Sequence, residues 1–236
     1  MSFLKAEWRK LALANYVIDP SILEPYLPLG TQLDLWNGRC YVSLVGFMFL
    51  NTRVLGIKVP WHVNFEEVNL RFYVTFEENN ELKRGVVFVK EIVPKPIVTF
   101  VANRVYREHY QTLKMDHVWT TETNQQEVEY RWRKNAQWNR FQVIAETHPH
   151  PMEQGSETEF ITEHYWGYSQ HPTYTIEYEV THPKWDAYRV LDHSIELDFG
   201  QVYGADFSFL NHMEPVSVML AEGSAITVES RRKITF

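Results

Sequence analysis

Residues 64–74, NFEEVNLRFYV, decide the fold because polar and apolar side chains alternate along them. Successive side chains of a β-strand point to opposite faces. One face would consist of Glu66, Val68, Leu70, Phe72 and Val74. The other would consist of Phe65, Glu67, Asn69, Arg71 and Tyr73. The first face is apolar beyond its acid, whereas the second presents a carboxylate, an amide, a guanidinium and a phenol. That polar row faces either bulk water or the inside of a closed sheet.

Most other segments also have strand character. Residues 40–50, CYVSLVGFMFL, are apolar on both faces except at Ser43 and Gly46, which is typical of a strand buried on both sides. Further strands are predicted at WRKLALANY, GVVFVKEIV, EVEYRWR, WNRFQVIAE, EFITEHYW, YTIEYEV, RVLDHSIELDF, VSVMLA and AITVES. Short strands at this density predict an antiparallel sheet that closes or packs on itself.

Two or three short helices are predicted between the strands. Asp19 and Pro20 supply an N-cap and a first-turn proline for a helix that continues to about Tyr26. From Ile97 to about Arg107, apolar residues recur with helical spacing. No linker interrupts the chain, so we expect a mainly β (α+β) fold with residues 1–236 in a single domain.

Composition excludes several classes of protein. The 236 residues carry a formal charge of -7 and no long basic run, so the charge pattern of a nucleic-acid binder is absent. No stretch approaches the ~18 apolar residues of a membrane-spanning helix, and the first ten residues lack the apolar core of a secretory signal. Cys40 is the single cysteine and reads as a buried small hydrophobe. We therefore expect a cytoplasmic protein without membrane or nucleic-acid partners; the sequence leaves a homo-oligomer open.

Familiar catalytic and metal-binding motifs are absent. The sequence has no G-x-G-x-x-G, P-loop, G-x-S-x-G, C-x-x-C or H-E-x-x-H, which argues against nucleotide, serine-hydrolase and helix-borne zinc chemistry. His148 and His150 in HPHPMEQG are flanked by prolines, which favours a loop with solvated histidines over a metal site. We expect no metal and no cofactor.

Two short segments contain candidate acid–base groups. In YREHY, residues 106–110, Glu108 and His109 lie beside Tyr106 and Tyr110, and could form an acid–base pair or simply end a helix. In EHYWGY, residues 163–168, His164 is expected to be a core histidine rather than a catalytic one.

Several blocks together resemble the acetoacetate-decarboxylase-like superfamily, and more closely its branch of uncharacterised bacterial proteins. They are WRKLALANYVIDPSILEPYLPLGTQLDL, CYVSLVGFMFL, NFEEVNLRFYV, GVVFVKEIVPKPIVTFVANRVYREHY, EFITEHYWGY, EYEVTHPKW, VYGADFSFL and MLAEGSAITV. The resemblance implies an antiparallel β barrel or cone with peripheral helices around an internal ligand cavity.

The resemblance also implies site residues. A pocket arginine falls on Arg9, and a pocket glutamate on Glu67. The decarboxylases form a Schiff base with a lysine, but their lysine pair falls at Glu108 to Tyr110, where this chain has no lysine. An imine requires a primary amine, so the sequence argues against Schiff-base chemistry at this position.

Several readings of the cavity stay open at this stage. In the first, Glu67 and His109 are catalytic, and Arg9, Arg71, Tyr73 and Tyr106 bind a small carboxylate or keto acid. In the second, the protein binds such a carboxylate without catalysis. A third reading is a decarboxylase-type lyase with Lys95 as a displaced nucleophile. In a fourth, Glu67 and Arg71 are merely surface partners of structural value.

Overall fold

The computed structural model describes residues 2–236, and strands make up most of this part of the chain. The strands are β1 (Ser2–Ile18), β2 (Gln32–Leu33), β3 (Cys40–Val54), β4 (Phe65–Glu78), β5 (Glu81–Val93), β6 (Tyr110–Thr112), β7 (Lys114–Thr121), β8 (Gln125–Lys134), β9 (Gln137–Pro151), β10 (Trp166–His171), β11 (Tyr174–Thr181), β12 (Asp186–Glu196), β13 (Ser217–Glu229) and β14 (Arg232–Ile234). The α-helices are α1 (Pro96–Val101), α2 (Glu157–Thr162) and α3 (Phe199–Tyr203). A π-helix, Ala102–Tyr106, continues α1, and 3₁₀ helices span Pro20–Ile22, Glu24–Tyr26 and Ala205–His212.

Seven strands form a closed ring. Their order is β11, β10, β5, β4, β3, β1 and β13, and β11 pairs again with β13 through Val180–Val228 and Thr181–Thr227. All neighbours in the ring are antiparallel except β10 and β5. The predicted, mainly antiparallel sheet of barrel or cone form is therefore confirmed.

Four more strands, β12, β9, β8 and β7, continue from β13 and form an outer layer. This layer covers the outer face of the ring. Tyr130 of β8 lies against Gly46 of β3, and its hydroxyl group donates to the backbone oxygen of Lys10 at 2.7 Å. A second contact joins His117 Nδ1 of β7 to Oε1 of Glu66 at 2.7 Å.

The ring strands are buried on both faces, so they contribute to two cores. The core between the ring and the outer layer takes Val68, Leu70, Phe72 and Val74 of β4. The core inside the ring takes Phe65 and Tyr73 of the same strand. The polar row of residues 64–74 therefore points into the ring and not into bulk water, which also explains why β3 is apolar on both faces.

Residues 159–166 do not form the predicted strand. They begin inside α2, where the Ser156 hydroxyl accepts a hydrogen bond from the backbone nitrogen of Glu159 at 3.2 Å. The Glu159 carboxylate in turn accepts one from the backbone nitrogen of Gly155 at 2.7 Å. Serine followed three residues later by glutamate is a helix-start signal, and it outweighs the strand-like alternation that follows it.

Residues 148–151 were expected to form a loop but complete β9. Pro149 and His150 pair with Tyr188 and Ala187 of β12, while the pairing of β9 with β8 has already ended at Glu146. A proline is tolerated there because its missing N–H group faces the unpaired side of the strand.

The helical regions differ from the predictions in detail. Residues 20–26 form two 3₁₀ turns rather than one helix, and the stripe from Ile97 becomes α1 followed by the π-helix. None of the helices within residues 2–236 has the length and apolarity needed to cross a membrane. The assignment of residues 1–236 to one domain stays a prediction.

Candidate binding cavity

A cavity of about 250 Å³ lies inside the ring. Its polar wall comes from β4, β5, β11 and the segment after the π-helix, and consists of Glu67, Asn69, Arg71, Glu91, Glu108, Tyr110 and Tyr178. Its apolar wall comes mainly from β1, β3 and the start of β4, and includes Trp8, Leu11, Phe47, Phe49 and Phe65. A cavity with one polar wall and one apolar wall suits a small molecule that has a polar and an apolar part.

Two β-bulges determine which side chains reach this cavity. In β1 the pairing with β3 shifts between Arg9 and Ala12, and Lys10 has a φ of 53°. Trp8 and Leu11, three residues apart, therefore both line the cavity. In β5 the register shifts at Val89, because Leu70 pairs with Lys90 and Arg71 with Phe88. The extra residue turns Glu91 inward.

Glu67 is held by two hydrogen bonds on the polar wall. Its Oε1 accepts from Asn69 Nδ2, and its Oε2 accepts from the Tyr110 hydroxyl group, both at 3.0 Å. Burial raises the pKa of Glu67 to about 7, although these two hydrogen bonds and the charge of Arg71 oppose the rise. A carboxyl group with this pKa exchanges its proton readily near neutral pH.

Two further carboxyl groups share the wall with Glu67. Burial and the charge of Glu67 raise the pKa of Glu108 to about 8, against a hydrogen bond that its Oε1 accepts from Tyr178 at 2.9 Å. Burial and the charges of Glu108 and Glu67 raise the pKa of Glu91 well above its ordinary value. Near neutral pH, Glu91 and Glu108 are therefore mainly neutral acids, while Glu67 is divided between its two forms.

Arg71 is the positive charge of the polar wall. It is 8% exposed, and its Nη2 donates to the backbone oxygen of Ile161 at 3.2 Å. Its Nε has no hydrogen-bond partner, and it forms no ion pair with a carboxylate anywhere in residues 2–236. A buried guanidinium without a direct ion-pair partner is costly, and a planar carboxylate is the group that fits it best.

His164 lines the cavity next to this wall and is held by Asp34. Its Nε2 donates to Asp34 Oδ2 at 3.0 Å, and Arg84 Nε donates to the same oxygen at 2.7 Å. Burial lowers the pKa of His164 to about 4 despite the nearby carboxylate. The imidazole is therefore neutral near pH 7, and its Nδ1 carries a lone pair that no group in the described part of the chain contacts.

The structure brings three of the six predicted site residues together and separates the others. Glu67, Arg71 and Tyr106 line the cavity. Tyr73 is buried inside the ring, but its hydroxyl group bonds to Ser43 at 2.7 Å and it is not among the lining residues. His109 is exposed and lies outside the lining.

Arg9 also lies outside the cavity lining. Its Nη2 donates to Glu7 Oε2 at 2.7 Å, and its Nη1 lies 3.5 Å from Oε1 of Glu222. The bulge at Lys10 explains this position, because it inverts the strand face on which Arg9 would otherwise join Leu11. Arg71 is the guanidinium that lines the cavity instead.

The lysines do not line the cavity within residues 2–236. Lys95, the candidate displaced nucleophile, precedes α1 as its N-cap residue. The same part of the chain contains no group of three or more His, Cys, Asp or Glu side chains arranged to hold a metal ion.

Sequence reasoning missed several lining residues. Glu91 follows Lys90 in the otherwise apolar segment GVVFVKEIV, so one of the two adjacent charged residues points inward, but the bulge at Val89 hid which one does. Tyr178 gave no signal, because its alternation with Glu177 and Glu179 resembles an ordinary half-buried strand. His164 is buried, as expected of a core or rim histidine, and it also lines the cavity.

The chain has an acetoacetate-decarboxylase-like fold, and the described lining of its cavity offers carboxyl groups and no lysine. By its sequence, the chain belongs to the DUF2071 family of uncharacterized conserved proteins, which matches residues 5–225. It is also similar to the uncharacterized protein YqjF of Bacillus subtilis (strain 168), with 34% identity over 86 residues. That match covers 36% of this chain and 34% of YqjF, so it spans about a third of the relative's length.

Solved structures with the same fold include an acetoacetate decarboxylase from Legionella pneumophila, with a TM-score of 0.70 and 10% identity over 99% of this chain and 87% of that one. An acetoacetate decarboxylase-like enzyme from Sphingomonas wittichii RW1 has a TM-score of 0.68 and 10% identity, and the match covers 100% of this chain and 94% of that one. The enduracididine biosynthesis enzyme MppR complexed with pyruvate has a TM-score of 0.66 and 11% identity, and the match covers 99% of this chain and 91% of that one. At these identities the likeness establishes the fold alone.

Proposed function

We propose that this protein is an enzyme that moves a proton on a small oxo carboxylate held inside the ring, without forming an imine. The observation that carries the proposal is the presence on one cavity wall of Arg71, a buried guanidinium whose Nε has no hydrogen-bond partner, and Glu67, a carboxyl group of pKa about 7. MppR, which has the same fold, has been solved with pyruvate, and this supports a small oxo acid as ligand. The cytoplasm is the proposed compartment, and a homo-oligomer is compatible with the proposal.

In this mechanism Arg71 binds the substrate carboxylate through its free N–H groups. Ionised Glu67 removes a proton from the carbon next to the carbonyl group, and the electron pair moves to the carbonyl oxygen. Glu108, which is mainly protonated near neutral pH, donates a hydrogen bond to that oxygen as it becomes negative. The protonated Glu67 exchanges its proton with solvent and then delivers a solvent-derived proton to the carbon, which completes the exchange.

The lack of a lysine in the lining separates this chemistry from the Schiff-base route. Imine formation requires a nucleophilic amine within reach of the substrate, and the described lining residues provide carboxyl, phenol, imidazole and guanidinium groups instead. Borohydride reduction in the presence of acetoacetate should therefore leave the intact mass of the protein unchanged.

Hydrogen–deuterium exchange tests the proposal directly. Pyruvate, 2-oxobutanoate and 4-oxopentanoate would each be incubated with the protein in D₂O, and loss of the C–H signals beside the carbonyl followed by NMR. We expect Glu67→Gln to reduce the enzyme-dependent exchange by roughly 100-fold or more. Glu77→Gln is the matched control, because Glu77 lies on the same strand and is exposed.

Two results would contradict the proposal. Exchange that survives Glu67→Gln would remove Glu67 as the base. Binding of an oxo acid to the wild-type protein with no exchange would instead identify a non-catalytic binding protein. Circular dichroism and thermal melting of both variants show whether a lost activity reflects lost folding.

A further inference from the structure

Carboxyl groups outnumber the Lys and Arg side chains on the polar wall. Glu67, Glu91 and Glu108 are 2%, 2% and 6% exposed, and Arg71 is the single Lys or Arg side chain among the described lining residues. Each of the three carboxyl groups is buried and becomes charged only at a desolvation cost. The charge of Arg71 offsets part of this cost for Glu67, whereas no cationic side chain lowers the pKa of Glu91 or Glu108. A positive group brought by a ligand would remove that cost.

Two buried acceptor atoms in the same region have no donor. Asn69 is 1% exposed, and its Nδ2 donates to Glu67, so its Oδ1 is an acceptor of fixed orientation. That Oδ1 has no hydrogen-bond partner in residues 2–236, and neither has Oε2 of Glu91. Buried polar atoms of this kind are normally satisfied, so Asn69 Oδ1 calls for an N–H group from a bound molecule. Oε2 of Glu91 becomes a second such acceptor once its carboxyl group loses its proton.

Aromatic side chains complete surroundings that suit a cation. Trp8 lies opposite the polar wall, with ring centroids 5.3 Å from Phe47 and 6.2 Å from Trp185. The faces of such rings attract ammonium groups in a cavity shielded from water. Arg71 is the single Lys or Arg side chain that can attract a carboxylate, so the described lining combines one guanidinium with several groups that suit an amine.

We infer that the substrate carries a protonated amine in addition to its carboxylate, and that the amine donates to Asn69 Oδ1 and Glu91 Oε2 while Arg71 binds the carboxylate. This inference rests on the proposed function for the carboxylate end, and it deepens that function by naming an amino oxo acid as the substrate class.

Binding of the ammonium group is then coupled to loss of a proton. Glu91 holds its proton in the free protein and must release it to form an ion pair with the ligand. The other titratable or charged groups of the lining are His62, Glu67, Arg71, Tyr106, Glu108, Tyr110, His164, Tyr178 and His182. Among them Glu67 and Glu108 also move toward their ionised forms beside a cation, so release comes from the carboxyl cluster as a whole.

A matched pair of ligands tests the inference. The probes are 5-amino-4-oxopentanoate and 4-oxopentanoate, which differ only in the amine, and a second pair is L-phenylalanine and 3-phenylpropanoate. Calorimetry near neutral pH, in two buffers of different ionisation enthalpy, gives both Kd and the protons released. We expect the amino member of at least one pair to bind about tenfold or more tightly than its partner, with net proton release.

Variants of the cavity lining test whether Glu91 and Asn69 cause the amine preference and the proton release. In Glu91→Gln the preference for the amino member should fall to about threefold or less and proton release should decrease, because the amide can no longer form an ion pair. Glu77→Gln should retain both. Thermal melting checks that each variant is folded, and Asn69→Ala provides a second variant should Glu91→Gln fail to fold.

Equal or weaker binding of the amino members in both pairs would overturn the inference, and so would failure of both amino members to bind. Carbon exchange on 4-oxopentanoate that depends on Glu67, without any amine preference, would sink this inference while the proposed function stands. If an amino probe binds tightly and releases protons but no carbon exchange occurs, the amine preference is supported and the proposed proton-transfer function is contradicted.

Discussion

The hydroxyl group of Tyr110 donates a hydrogen bond to Oε2 of Glu67 at 3.0 Å, so the segment that follows the π-helix contacts β4 near the start of that strand. Asn69 holds the other oxygen of the same carboxyl group. The protonation of Glu67 is therefore set by groups from two separate parts of the chain, together with the burial that the ring imposes.

Removing this hydrogen bond should raise the pKa of Glu67. The bond stabilises the ionised carboxylate, so Tyr110→Phe should move the pKa further above about 7. Titration of the Glu67 side-chain carboxyl carbon by ¹³C NMR measures the change, and the pH at which proton exchange reaches half its maximum should rise in parallel. An unchanged or lower pKa would show that Tyr110 does not control this group.

Glu108 should make the protein less stable as pH rises. Its pKa is about 8 in the folded state against an ordinary value of 4.5, so between these values the folded state keeps a proton that the unfolded state loses. The free energy of unfolding therefore falls from about pH 4.5 to about pH 8, by up to on the order of 4 kcal/mol from this group.

Glu108→Gln removes that contribution. Relative to wild type, the variant should become progressively more stable between about pH 5 and about pH 8, as measured by urea denaturation at each pH. The hydrogen bond from Tyr178 can still be accepted by the amide oxygen, which keeps the comparison fair. A stability difference that is independent of pH would contradict the raised pKa.

Arg71 and Arg9 should respond in opposite ways to the same substitution. Arg71→Met removes a buried charge without a counter-ion, so the Tm of the free protein should stay within a few degrees or rise. The same change should weaken binding of small oxo carboxylates by about tenfold or more. Arg9→Met loses a partly exposed ion pair worth about 0–1 kcal/mol and should leave ligand binding unchanged.

Calorimetric titration of both variants with 4-oxopentanoate, alongside thermal melting, makes the comparison. Loss of binding in Arg9→Met with retained binding in Arg71→Met would reverse the assignment of the carboxylate anchor. A large loss of Tm in Arg71→Met would show that its bond to Ile161 is structural rather than incidental to ligand binding.

Gly223 is required by the bulge that turns Trp8 inward. Its φ is +80°, and a Cβ atom there would lie 2.0 Å from the backbone oxygen of Trp8. Gly223→Ala should therefore destabilise the protein by more than the ~1–2 kcal/mol cost of a left-handed backbone alone. Gly38→Ala is the control, because Gly38 has a φ of +76° but nothing within 4 Å of its Cβ position. If urea denaturation shows that Gly223→Ala and Gly38→Ala lose the same amount of stability, the backbone must have moved to relieve the contact with Trp8.

Much of the fold could be predicted from local patterns. Alternation in residues 64–74 identified β4 and its two faces, and the two-sided apolarity of residues 40–50 identified a strand between two cores. The prediction failed where a second local signal competed with the first, as at Ser156, where a helix cap prevailed over alternation. The spacing of polar and apolar side chains thus indicates for most segments whether they form a strand or a helix.

The sequence alone determined that Glu67, Asn69 and Arg71 share one strand face, because a period of two depends only on extended backbone. Tertiary structure decided what that face meets. Ring closure turned it inward, and bulges at Lys10 and Val89 moved Arg9 out of the cavity and Glu91 into it. A bulge adds one residue against a partner strand, so it exists only in the pairing of two strands and leaves no mark in the periodicity of either one.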